Sequence, residues 1–141
     1  MPNLLSAIDA SASALDAQRT RMEVAISNMT NAESTKSADG GPYRRREVVL
    51  ATQEFANTFD GIPTGATGVR VAGVVSSASF NVVHDPTHPD ADGDGNVSLP
   101  DINIPEEMVD MLGAARAYQA NLTAIGLIRD MVQRALELGK Q

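Results

Sequence analysis

Four aspartates lie close together in the second half of the chain, at a spacing that could bind a metal ion. They are Asp90, Asp92, Asp94 and Asp101. With Gly95 at the sixth position they match the calcium-loop template, which places oxygen ligands at positions one, three, five and twelve. However, Pro89 and Pro100 exclude helices immediately on either side, and the last carboxylate is Asp where the longer Glu is expected. The sequence therefore favours a solvated acidic turn over a calcium site. It predicts no metal and leaves these four residues as weak candidates.

The remaining residue types give no support to enzymatic chemistry. The chain contains no Cys, and its two histidines, His84 and His88, flank Pro86, which forbids a helix that would put both rings on one face. The sequence has no Gly-x-Ser-x-Gly elbow and no phosphate-binding glycine loop. We therefore expect no catalytic residues, no cofactor and no enzyme activity.

Charge and hydropathy argue against several classes of partner. The 141 residues carry a net charge of -7, whereas nucleic acids and anionic membranes attract clustered positive charge. The basic run 44–46 follows a Gly-Gly-Pro turn, so we expect it to begin a strand as a solvated or subunit-facing charge run. No segment is apolar and long enough to span a bilayer, and the N-terminal segment lacks the basic start of a cleaved signal peptide. We expect neither nucleic-acid binding nor membrane insertion.

The elements that must position these residues are two long terminal helices, expected at about 3–30 and 105–138. Apolar residues recur three and four apart at both ends, which predicts an apolar stripe on each helix and pairing in a left-handed coiled coil. The first stripe is Leu5, Ile8, Ala12, Leu15, Met22, Ile26 and Met29. The second is Met108, Met111, Ala115, Tyr118, Leu122, Ile125, Val132 and Leu136.

A second stripe, rich in small residues, runs along the opposite side of each helix. It comprises Ala7, Ala10, Ala14, Ala17 and Val24 on the first helix and Gly113, Ala117, Ala120, Ala124, Leu127 and Met131 on the second. A helix that is apolar on two sides is normally buried among neighbours; the alternative is an alanine-rich solvent face. We predict partner binding through Leu5, Ile8, Leu15, Met22, Ile26, Met108, Met111, Tyr118, Leu122 and Ile125, and through the small-residue positions Ala117, Ala120, Asn121 and Ala124.

The predicted fold class is mainly α with a small β region. The long N- and C-terminal helices are expected to pair as a coiled coil, with a central β-hairpin and loop segment between them. The expected divisions are an N-terminal coiled-coil helix over 1–31, a loop and β-rich middle segment over 32–104, and a C-terminal coiled-coil helix over 105–141. Strands are expected at 43–52, 69–75 and 78–84, with loops over 61–68 and 86–96. Helices of about 40 and 50 Å would make the molecule elongated.

Five short segments resemble a single protein family. They are SNMTNAEST at 27–35, GGPYRR at 40–45, HPDAD at 88–92, EEMVDM at 106–111 and RAYQAN at 116–121. In these segments the chain resembles the bacterial flagellar basal-body rod proteins, most specifically those of the proximal rod. The resemblance covers both terminal segments and the edges of the loop, and it is weakest from about 52 to 85.

This resemblance implies a structural subunit of the proximal rod that self-assembles through its terminal helices and transmits torque. The implied partners are copies of the chain, other rod proteins and the flagellar type III export apparatus. That apparatus would deliver the chain, without a cleaved signal peptide, to the basal body spanning the periplasm. Two alternatives follow from the residues alone: a calcium-binding module with a dimeric helical stalk, and a cytoplasmic coiled-coil adaptor.

Overall fold

A long helix lies at each end of the chain, and short strands lie between them. The computed structural model describes residues 2–37, 40–54, 58–59, 62–63 and 67–139. The elements are α1 (Pro2–Thr30), β1 (Arg46–Glu54), β2 (Thr58–Phe59), β3 (Ile62–Pro63), β4 (Thr67–Ser76), β5 (Phe80–His84), β6 (Asn96–Pro100) and α2 (Ile104–Leu138). The fold is mixed α/β, and both predicted terminal helices are present within a residue or two of their expected ends.

The described strands form three antiparallel pairs, β1 with β4, β2 with β3 and β5 with β6. The strands predicted at 43–52, 69–75 and 78–84 are confirmed as β1, β4 and β5, with shifted ends. β6 has no counterpart among the predicted strands, because its five residues are bounded by turn residues and depend on pairing with β5. Of the loop expected over 61–68, residues 61 and 64–66 lie outside the described residues. The loop prediction is wrong for the described part, because 62–63 form β3 and 67–68 belong to β4.

The two helices run antiparallel and make the most extensive contact between any two elements. Asn28 Nδ2 lies 2.9 Å from Glu107 Oε2, and Arg21 Nη2 lies 3.6 Å from Asp110 Oδ1. Asn28 follows Arg21 along α1, but its partner Glu107 precedes Asp110 along α2, so the two helices run in opposite directions. At the standard rise the helices span about 44 and 52 Å, and residues 133–138 of α2 are all exposed. The C-terminal turns of α2 therefore extend past the start of α1.

The buried side of α1 carries small and polar residues. Fully buried positions are Ser6, Ala17, Ala25 and Asn28 on α1 and Glu107 and Ala114 on α2. Ile26 lies about half a turn round the helix from Ala17 and is 50% exposed. This differs from the sequence expectation, because α1 turns its small-residue side inward and its large apolar stripe outward. Alanine allows the backbones of packed elements to approach closely, and β4 also packs on α1.

The described residues bury very few apolar side chains. The buried apolar residues are Ala17, Ala25, Tyr43, Val97 and Ala114, so no Leu, Ile, Met or Phe is among them. The accessible surface of 9667 Å² is more than a third larger than the roughly 7,000 Å² expected of a compact monomer of this mass. The isolated chain therefore leaves unusually much surface in water. Over its described residues, neither helix has an apolar stretch able to cross a membrane.

Candidate functional site

The first surface of interest is the outward stripe of α1, which we define as Ile8, Leu15, Met22 and Ile26. Ile26 is half exposed, and the other three side chains are only half-buried. The helix period places all four within about 40° of the direction opposite Ala17. The side chain of Leu5, predicted to belong to the same stripe, lies outside the described residues. The stripe offers large aliphatic side chains that α2 does not cover fully.

The predicted partner-binding residues of α2 divide between two sides of that helix. Met111, Tyr118 and Ile125 are half-buried and lie within about 60° of the buried Ala114. Met108 and Leu122 are 48% and 47% exposed and flank that side. The large apolar stripe of α2 therefore lies toward the rest of the chain, in contrast to that of α1.

The opposite side of α2 carries an exposed apolar stripe, which we call the outer stripe. It consists of Val109, Gly113, Ala120, Leu127, Met131 and Leu138, all of them exposed. Beside it, Ala117, Asn121 and Ala124 are half-buried. The amide of Asn121 donates a hydrogen bond to the Ala117 carbonyl at 2.8 Å, within its own helix. The stripe predicted from the sequence did not include Val109 and Leu138, although both continue its heptad spacing.

A buried group of polar side chains lies where α1 ends, β1 begins and α2 begins; we call Asn28, Tyr43, Arg45 and Glu107 the buried clasp. Asn28 is 1% exposed. Its Oδ1 accepts hydrogen bonds from Tyr43 Oη at 3.1 Å and the Arg46 backbone N–H at 2.9 Å. Its Nδ2 donates to the Arg46 carbonyl at 2.8 Å and to Glu107 Oε2 at 2.9 Å. All four hydrogen-bonding positions of the amide are therefore used.

The clasp also holds a charge pair in its interior. Glu107 is 3% exposed, and its Oε1 accepts a hydrogen bond from Arg45 Nε at 2.7 Å. That hydrogen bond, opposed by desolvation and supported by the carboxylate's charge, raises the pKa of the Arg45 guanidinium. The remaining carboxylate oxygen is bonded to Asn28. Glu107 is thus tied to α1 and to the residue just before β1.

The basic run 44–46 is partly engaged within its own chain: Arg44 and Arg46 are exposed, as expected of a solvated charge run, whereas Arg45 is half-buried. Arg45 pairs with Glu107, as described above. The guanidinium groups of Arg44 and Arg46 lie over the rings of Phe80 and Tyr43, 5.6 and 5.5 Å from the ring centroids. The expectation that the run begins a strand holds, since β1 starts at Arg46.

One of the four calcium-candidate aspartates is engaged in a different contact. Asp90 accepts hydrogen bonds from Lys36 Nζ and, at 2.7 Å, from Thr35 Oγ1. The hydrogen bond from Lys36, and then that from Thr35, lowers the pKa of the Asp90 carboxyl below its ordinary value. Asp90 therefore ties the acidic loop to the segment that follows α1.

The other three aspartates do not gather round a common point. Asp92 Oδ1 accepts from the backbone N–H groups of Asp94 and Asn96 at 3.0 and 2.8 Å, which closes a tight turn. β6 then runs extended for five residues, about 16 Å, before Asp101 accepts from Asn81 Nδ2. Within the described ranges no three His, Asp or Glu side chains are arranged to hold a metal. The aspartates therefore match the calcium-loop template in sequence but are not arranged as the ligands of one ion.

Four of the five segments that carry the family resemblance contribute to the buried clasp or to the Asp90 contact. Segments 27–35, 40–45 and 106–111 supply the clasp, and 88–92 supplies Asp90 to its contact with 35–36. The sequence linked these segments by their family resemblance but did not indicate that they would lie together in space. The family model described as "Flagellar basal body rod FlgEFG protein C-terminal" matches residues 94–138.

Full-length relatives decide the assignment. The flagellar basal-body rod protein FlgC of Bacillus subtilis is 38% identical, with 94% of this chain and 96% of that protein aligned. FlgC of Salmonella typhimurium is 40% identical, with 97% of this chain and 98% of that protein aligned. FlgC of Aquifex aeolicus is 39% identical, with 99% of this chain and 100% of that protein aligned. The chain belongs to the FlgC family.

As a member of the FlgC family, the protein is a structural subunit of the flagellar basal-body rod. This confirms the resemblance found in the sequence and gives the protein its location, the basal body of the flagellum. The relatives are named as flagellar basal-body rod proteins, and nothing in the comparisons supports the calcium-binding alternative. The buried clasp and the exposed stripes are therefore features of a rod subunit.

Proposed function

We propose that this FlgC-family chain assembles into the proximal rod by placing its paired terminal helices side by side with those of its neighbours. The outward stripe of α1 and the outer stripe of α2 would form the contacts, and the helices would make a coiled-coil layer. The neighbours are copies of the chain and other rod proteins. Torque would pass through these apolar contacts, because close-packed interiors are barely compressible.

One observation carries this proposal: both helices of the pair still expose apolar stripes on the sides turned away from each other. On α2, Val109, Leu127 and Leu138 are 69%, 61% and 74% exposed. Monomeric proteins rarely leave contiguous apolar patches of this kind in water, and such patches mark interaction sites. Stripes that run along the helices fit partners that lie alongside them.

We also propose that the chain reaches the rod through the flagellar type III export apparatus without a cleaved signal peptide. The scarcity of buried large side chains supports this, because a chain with a small core loses little stabilisation on passing through an export channel unfolded. Folding would then be completed on contact with the growing rod.

The assembly surface can be tested by placing a charge in the outer stripe. In Ala120→Glu a carboxylate must be desolvated on a close-packed face with no partner, which is strongly unfavourable. We expect loss of swimming and loss of the chain from extracted basal bodies, while export, measured separately as secreted chain, continues.

Gln119→Glu provides the matched control. It introduces the same charge one residue away, at an exposed position that is already polar. We expect this variant to swim normally. Normal swimming and normal rod content in Ala120→Glu would contradict the proposed assembly surface.

A further inference from the structure

Apolar packing between α1 and α2 does not by itself fix the position of one helix along the axis of the other. Its fully buried apolar residues are Ala17, Ala25 and Ala114, and alanines present nearly the same shape at every turn. The large stripe of α2 repeats every seven residues, so sliding it by about 10 Å brings another apolar side chain to each position. Apolar packing alone therefore leaves several registers close in energy.

The buried clasp breaks this near-equivalence. Asn28 and Glu107 are the most deeply buried large polar side chains of the helix pair, at 1% and 3% exposed. Sliding α2 by a single turn, about 5.4 Å, would separate Glu107 from both Asn28 and Arg45. A buried carboxylate without partners is strongly destabilising. Only one register satisfies this carboxylate.

We propose that the buried clasp, through the pairing of Glu107 with Asn28 and Arg45, sets the register of α2 against α1 and β1. A fixed register determines which residues of the outer stripe lie level with which residues of the outward stripe of α1. The consequence for rod assembly rests on the proposed function, in which these stripes are the contact surfaces.

The neighbouring ion pair does not fill this role. Arg21 and Asp110 lie 3.6 Å apart, with side chains 36% and 61% exposed. Water can solvate both charges in any register, and exposed pairs of this kind contribute little to stability. Buried ion pairs, in contrast, often add little net stability over apolar residues and are best established as devices that specify register.

The test replaces the charge pair by apolar residues in Arg45→Met/Glu107→Leu, which keeps Asn28 and its bonds to Arg46. Because the chain has no Cys, spin labels can be attached at Asp16→Cys and Gln119→Cys, both exposed and one on each helix. Pulsed electron resonance then measures the distance between the helices. A urea titration of the same samples measures stability.

Both measurements use a concentration at which the helices are formed, with labelled chain diluted in unlabelled chain so that distances between neighbours are not observed. With the clasp intact we then expect a single label distance. In the double variant we expect loss of the single peak in favour of several, with little change in urea midpoint. The control Arg21→Gln/Asp110→Asn removes the exposed pair and should keep the single peak. A double variant with one unchanged peak would overturn the proposal, and so would one that keeps a single peak while losing stability.

The same labels are measured in extracted basal bodies from cells that also make unlabelled chain, so that distances between neighbouring subunits are diluted out. This arm applies even where the isolated variant folds poorly, because only assembled chain is observed. Several distances together with normal rod assembly would contradict the proposed function while leaving the register role intact. A single distance with normal assembly would overturn the register role alone.

Discussion

Among single residues, Asn28 has an amide whose hydrogen bonds few other side chains could reproduce. Its carbonyl and amino ends bond to the N–H and C=O of Arg46, much as a neighbouring strand would. A carboxylate there would lose both donors and face Glu107, and an aliphatic side chain would leave the Arg46 backbone groups without these partners. One side chain thus joins the end of α1 to the start of β1.

Gly95 gives the first residue-scale prediction. Its φ is +78°, and an added Cβ would lie 3.0 Å from Pro86 Cγ and 3.1 Å from His84 Cε1. We expect Gly95→Ala to destabilise the β5–β6 pair by about 1–2 kcal/mol. Hydrogen exchange of the paired β5 and β6 amides should then be roughly 5- to 30-fold faster.

Gly93→Ala is the matched control in the same turn. Gly93 does not have a positive φ, and nothing lies within 4 Å of the position of its added Cβ. Hydrogen exchange in this variant should stay close to that of the parent chain. Equal exchange rates in the two variants would show that the left-handed turn is not what holds the pair.

At the scale of elements, each terminal helix has two apolar sides with different tasks. α1 buries its small-residue side and exposes Ile26, whereas α2 turns Tyr118 and Ile125 toward the chain and exposes its outer stripe. Contact between a small side and a large side lets the helices lie close together. The two sides left over are the outward stripe of α1, which has large side chains, and the outer stripe of α2, which mixes small and large side chains.

A larger side chain should have different effects on stability on the inward and outward sides of α1. Ala17 is 1% exposed, so Ala17→Leu has no room for its added carbons and should destabilise the helix pair by about 1–3 kcal/mol. The control Ala12→Leu makes the same change at an exposed position of the same helix and should alter stability little. Urea titrations followed by circular dichroism, at a concentration where the helices are formed, provide the comparison; equal midpoints would contradict the assigned inward side.

The heptad spacing was sufficient to predict both helices, but it could not predict which stripe faces inward. Both stripes of α1 satisfy the same period, and the choice depends on contacts with α2 and β4. The buried clasp was beyond reach for a similar reason, since Asn28 and Glu107 are 79 residues apart and their residue types alone suggest a helix end and a dipole effect. The aspartates have the spacing of a metal template but not its geometry, because extended β6 separates Asp101 from the others.

At the scale of the whole molecule, the surplus of accessible surface and the shortage of buried large side chains are two sides of one property. Packing α1 against α2 buries chiefly small side chains, and small side chains contribute little hydrophobic stabilisation per residue. Ordering two long helices opposes this gain through lost conformational entropy. Neighbouring chains would supply the burial that one chain lacks.

We therefore predict that the purified chain at low concentration has much less helix than the assembled form. Circular dichroism across a wide range of concentration, compared with assembled material, measures the difference. The helical signal should rise with concentration, because association buries the exposed stripes. A dilute monomer with full helical signal would mean that the pair is stable without neighbours.

The alanines between α1 and α2 also have a geometric consequence. A small-residue side on one helix lets the large stripe of the other approach within the usual range of about 8–10 Å between axes, so we expect each subunit to present a slim profile. If subunits stand in a ring around a central bore, a slimmer wedge allows more of them for the same circumference. Substituting larger residues at Ala17 or Ala114 would then widen each wedge and change how many fit before the ring closes.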